Sequence, residues 1–98
     1  TLFNNIFLFD WSSGDIFYRN ITGNNFSIRF TGFSDGQTII VALSNTGMGY
    51  TGTWPSYVKW SNSEAPVQSS GWRTDVYTFI NIKTGIFGNA VQYFPGTF

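Results

Sequence analysis

In the run Phe26-Ser27-Ile28-Arg29-Phe30-Thr31, the apolar residues Phe26, Ile28 and Phe30 alternate with Ser27, Arg29 and Thr31. Side chains of an extended chain point to opposite faces in turn, so this run has one dry face and one wet face. Segments of the same kind recur along the chain. Short runs rich in Phe, Ile, Val, Tyr and Thr are separated every few residues by Gly, Ser, Asn or Asp, and helix signals are almost missing. Strands are expected at residues 2–9, 16–18, 26–31, 38–44, 50–54, 58–60, 75–82 and 86–94. Turns fall at Ser12-Ser13-Gly14, at Phe33-Ser34-Asp35-Gly36, in the glycine-rich stretch 45–49 and at Lys83-Thr84-Gly85; residues 61–73 are the longest irregular stretch. The pattern predicts one all-β domain over residues 1–98. Its expected form is a β-sandwich of about eight short antiparallel strands, of Greek-key or jelly-roll type, with an up-and-down barrel as runner-up.

Two runs are more apolar than a half-wet strand requires. Residues 38–44 are almost continuously apolar and are expected at the centre of a sheet. Residues 2–9 are apolar on both faces over their second half, which predicts a strand that is central or pressed against another chain. Composition bears on that choice. Aromatic residues make up 20% of the chain, and each removes about 150–250 Å² from water when buried. A domain of this size buries only roughly 60–65% of the surface its unfolded chain exposes. Surplus aromatic surface is therefore expected at a subunit interface or binding surface. Residues 1–11 are the expected oligomerisation strand, with Phe3, Phe7, Phe9 and Trp11 as its contacts.

Chemistry is conspicuous by what the composition lacks. The chain has no His and no Cys, so the commonest general base, a thiol nucleophile and the usual zinc ligands are missing. Asp10 and Asp15 flank one turn and are expected as turn and cap residues. No enzymatic activity, catalytic residue, metal site or cofactor is expected. Five basic residues, Arg19, Arg29, Lys59, Arg73 and Lys83, balance five acids. They are scattered, which argues against nucleic acid as a partner. The longest apolar run is strand-sized, so membrane insertion is not expected. So sparse a charge suits a component of an assembly better than a free monomer.

Several short motifs come in a suggestive order. A polar turn around Thr22-Gly23-Asn24 is followed by Asp35-Gly36-Gln37 leading into the apolar strand. Then come Thr46-Gly47, Thr53-Trp54-Pro55, Val58-Lys59-Trp60, Ala65-Pro66, Asp75-Val76 with Phe79, and Phe87-Gly88. In these features residues 17–94 resemble a small β module found in tail fibre and other virion structural proteins of tailed bacteriophages. The resemblance implies a non-enzymatic virion component that is often trimeric. Ser61-Asn62-Ser63-Glu64 stands where that family often has a glycine-rich turn, and residues 2–11 lie outside the resemblance.

Two readings of function follow. The first is a virion structural protein forming a homo-oligomeric fibre, spike or decoration, a trimer by the resemblance, with other virion proteins as partners. The second is a carbohydrate-binding or receptor-binding module that takes a host surface glycan. For the second, Tyr57 and Trp72 are the candidate ligand surface, and Trp54 and Trp60 would both have to be exposed on one surface. Period-2 patterning places Trp60 with Val58 on the core side and Lys59 on the other. Asp75 is expected either to pair with Lys59 or to cap the turn before its own strand.

Overall fold

The computed structural model describes residues 5–21, 25–46, 51–83 and 85–97. They form eight strands: β1 (Asn5–Asp10), β2 (Ile16–Ile21), β3 (Phe26–Thr31), β4 (Thr38–Asn45), β5 (Gly52–Thr53), β6 (Val58–Trp60), β7 (Arg73–Ile82) and β8 (Gly85–Pro95). The all-β class expected from the alternation holds. Phe3, the polar turn Thr22-Gly23-Asn24, the glycine-rich stretch 47–49 and Tyr50 at the expected start of the next strand lie outside the described residues.

Pairing differs from the antiparallel Greek-key or jelly-roll arrangement expected. One sheet has the order β1-β3-β5 and the other β2-β4-β7-β8-β6. Only β4–β7 and β7–β8 are antiparallel; the other four pairings are parallel. The cause lies in the connections. From β1 to β6 successive strands lie in opposite sheets instead of side by side in one. A strand therefore meets its next-but-one neighbour running the same way. The strand on the far side, with its two turns, supplies the crossover that a parallel pair requires. The first five strands thus wind in a solenoid-like manner. The β7–β8 hairpin then enters the five-stranded sheet between β4 and β6, and the winding stops.

The inward faces of the two sheets make the core. Phe26, Ile28 and Phe30 of β3 are buried, as their alternation requires, and face Ile39, Val41 and Leu43 of β4 and Tyr77 and Phe79 of β7. Phe30 meets Phe79 edge-on at 5.1 Å between ring centroids, a favoured aromatic geometry. The three-stranded sheet is too narrow to cover the hairpin. Tryptophans do so instead: Trp54, just beyond β5, lies 4.6 Å from Tyr77 and 5.2 Å from Phe79, and Trp60 of β6 packs edge-on against Trp54 at 5.3 Å. Room for Trp60 comes from Gly88, its partner across the β6–β8 ladder. A Cβ at Gly88 would lie 2.7 Å from the Phe79 ring and 3.2 Å from Trp60.

β1 corrects an expectation. Phe9 and Trp11 are fully buried in the core of their own chain, so neither is available to a second chain. Phe7 is half-buried and stacks on Phe26 at 5.1 Å. With both faces apolar, the sequence leaves open which parity turns inward, and the larger aromatic set does so. The residues that β1 turns outward are Ile6 and Leu8, 52% and 56% exposed.

Candidate assembly surface

The outward face of the five-stranded sheet carries many of the large apolar side chains that are exposed among the described residues. Its register lines up side chains in rows across the strands. One row runs Tyr18, Ala42, Val76, Val91; a second runs Ile16, Ile40, Thr78, Asn89; a third runs Thr38, Ile80, Phe87, Lys59. Ile16, Tyr18, Ile40, Phe87 and Val91, with Ile82 beyond the third row, are each between 36% and 66% exposed. At about 150–250 Å² per large side chain, they present on the order of 600 Å² of apolar surface. That is the upper end of what a typical monomer leaves open, roughly 300–600 Å². The one charge within these rows is Lys59, whose ammonium lies 5.4 Å from the centre of the Phe87 ring at the margin, a cation–π contact.

The sheet owes its shape at one end to a bulge. Val76 pairs with Val91 and Thr74 with Phe94, so Gln92 and Tyr93 of β8 both lie opposite Asp75. A bulge of this kind leaves ladder groups without partners. The Asp75 carboxylate fills the gap. It accepts hydrogen bonds from the Tyr93 amide at 3.1 Å and from the Gln92 side-chain amide at 3.0 Å. On its other side it accepts from the Ser69 amide at 2.8 Å and the Ser69 hydroxyl at 2.5 Å, which fastens the long loop before β7. Tyr77 donates its hydroxyl to the same carboxylate at 3.3 Å. Burial, and then the Asp75 charge beside it, push the Tyr77 hydroxyl well above the usual tyrosine range. The expected Lys59–Asp75 pairing is therefore not made: Asp75 is buried on the inward face and Lys59 is exposed on the outward one. Of the two roles foreseen for Asp75, the loop-capping one is what its hydrogen bonds perform.

The candidate ligand residues do not converge. Tyr57 and Trp72 are 50% and 60% exposed. Tyr57 lies 6.3 Å from Phe33, beside the start of β4, whereas Trp72 precedes Arg73, which pairs with Asn45 at the end of β4. A strand of this length, at ~3.3 Å per residue, keeps them roughly 20 Å apart. Tyr57 lines a groove of about 430 Å³ together with Arg29, Phe30, Thr53 and Trp54. Trp54 is 8% exposed, so the paired tryptophan platform is not formed. Asp10 caps the 3-10 turn at Trp11–Ser13, accepting from the Ser12 amide at 3.0 Å and its hydroxyl at 2.7 Å. Those bonds hold its carboxyl below the usual range. Among the described residues no three acidic side chains gather where they could hold a metal ion, and no helix is long and apolar enough to cross a membrane.

Sequence reasoning overlooked the outward face. Each strand contributes only one to three of its residues, and the register that assembles them is not local. The available signal was the pair of outward apolar positions in nearly every strand of this sheet. Compared with protein-family models, with curated proteins and with solved structures, the chain gives no match.

Proposed function

We propose that this chain is a non-enzymatic structural module that assembles with copies of itself through the outward face of the five-stranded sheet. On the resemblance in residues 17–94, which implies a trimer, our reading is that such an assembly serves as a fibre, spike or decoration in the virion of a tailed bacteriophage. The observation that carries the reading is the apolar face itself. At on the order of 600 Å² it approaches the ~800 Å² per partner of a standard interface. It is nearly free of charge, and the chain has no net charge with which to repel its copies.

Val91→Lys tests the reading. Val91 is 61% exposed, so the fold should persist, with stability within about 0.5 kcal/mol of wild type. Light scattering after size exclusion at micromolar concentration should give an oligomer for wild type and a smaller species for the variant. A wild-type monomer, or an unchanged mass in the variant, would refute the proposal.

A further inference from the structure

The winding of the chain leaves its two sheets with unlike edges. At one side the edges are β5, two residues long and followed by Pro55, and β6, three residues long. Short strands and proline are recognised means of blunting an edge. At the other side the edges are β1 and β2, six residues each. These two are not equivalent. On β2, Arg19 turns back along its own strand. Its guanidinium donates to the Tyr18 carbonyl at 2.7 Å and lies 5.1 Å from the centre of the Phe9 ring. A charged side chain folded over the strand obstructs pairing there. β1 has no such device. Its sequence is Asn-Ile-Phe-Leu-Phe-Asp, without Lys, Arg or Pro. Among the described residues it pairs on one side only, with β3.

The outward side chains sharpen the contrast. On β3 they are Ser27, Arg29 and Thr31, and on β5 Thr53, all polar. Among the described residues, Ile6 and Leu8 are the large apolar residues of this face, and both are more than half exposed on the outermost strand. Phe7, between them, points inward and is only half-buried.

We infer that β1 takes the β1 strand of a second copy as an antiparallel partner about a two-fold axis at Phe7, extending the three-stranded sheet to six strands. The inference deepens the self-assembly reading, on which it rests for the nature of the partner, but it uses a different surface. The occupant follows from parity. Directly opposed residues of an antiparallel pair share a face. A two-fold at Phe7 sets Ile6 against Leu8 of the other copy on the outward face and Leu8 against its Ile6. On the inward face the two half-buried Phe7 rings meet. Every exposed apolar side chain of the strand then faces another, and Asp10 falls beyond its counterpart, so no like charges oppose. One patch satisfies itself on both subunits, as an isologous contact requires. Main-chain hydrogen bonds supply affinity and the Ile–Leu and Phe–Phe pairs supply register, as in strand addition generally. With three-fold packing through the other sheet, this contact joins copies into sets of even number.

The chain has no cysteine, which permits a direct test. Ile6→Cys and Leu8→Cys are made singly, and each is oxidised alone and as an equimolar mixture. The mixture should give a disulfide-linked dimer that neither variant gives alone. A linked dimer from Leu8→Cys alone, or none from the mixture, overturns the inference. Mass measurements separate it from the broader reading. Val91→Lys should leave a dimer, and Val91→Lys with Leu8→Lys a monomer, with circular dichroism unchanged. A monomer from Val91→Lys alone sinks the β1 contact but leaves assembly through the apolar face standing. Loss of mass in Leu8→Lys with none in Val91→Lys does the reverse.

Discussion

Asp75 stands where β8 carries one residue more than β7, and it does the work of the missing ladder partner. Without it the amides of Tyr93 and Ser69 lose their acceptor inside the protein. Tyr93 holds φ 70° at that point, a left-handed conformation that a residue with a side chain adopts at some cost. Its bond to Asp75 helps to keep it there. Asp75→Ala should therefore destabilise by about 3 kcal/mol, the scale of one or two hydrogen bonds to a buried charge. Urea unfolding monitored by tryptophan fluorescence measures this. A loss under 1 kcal/mol would mean that the bulge and loop hold without the carboxylate. The dipeptide Asp75-Val76 was visible in the sequence, but its five contacts come from residues 6 and 17 or 18 positions away as well as from Tyr77. No local pattern announces them.

Among the elements, β8 shows how a strand is fitted to its neighbours by what it omits. Phe79, Gly88 and Trp60 stand in one row across β7, β8 and β6, and the two rings close over the glycine. Gly88→Ala should cost about 1–3 kcal/mol, the usual range for forcing a methyl into a filled core. It should also raise the exposure of Trp60, read as a red shift of its emission. An unchanged urea midpoint would show that the rings can part freely. Strand positions were largely legible: residues 26–31 and 58–60 are strands with the predicted limits, and the alternation of β3 reports its buried face correctly. Strand direction was not legible. Alternation describes one strand and its two faces and carries nothing about which way the neighbour runs. For the same reason β1, apolar at odd and even positions alike, concealed which of its residues face out. β4 was rightly central, yet its apolar run covers two different surroundings: Ile39 and Val41 lie in the core and Ile40 on the outward face.

For the molecule as a whole, Tyr77 ties stability to pH. In the unfolded chain a tyrosine loses its proton near pH 10; in the fold, burial and the Asp75 charge keep Tyr77 neutral well beyond that. Its contribution is intact below pH 10. As pH rises further, the unfolded state sheds a proton that the folded state retains, so stability falls by up to about 1.4 kcal/mol per pH unit. Urea midpoints measured from pH 8 to 11 should decline above pH 10 in wild type. The decline should be shallower in Tyr77→Phe, which should lose no more than about 1 kcal/mol at pH 8. Parallel slopes for the two proteins would assign the alkaline sensitivity elsewhere.

The place of the β7–β8 hairpin gives the fold a polarity of growth. A strand pair inserted ahead of β1 would lay one more rung on each sheet only with Arg19 swung off the β2 edge and the β1 edge given up by a second copy, but it would leave the order of the strands behind it intact. One inserted after β5 would meet the hairpin lodged beside β4 and would have to evict it. The hairpin acts as a stop on a ruler. Longer versions of this architecture can be built from the β1 side, while the other end keeps its two tryptophans and its loop unaltered.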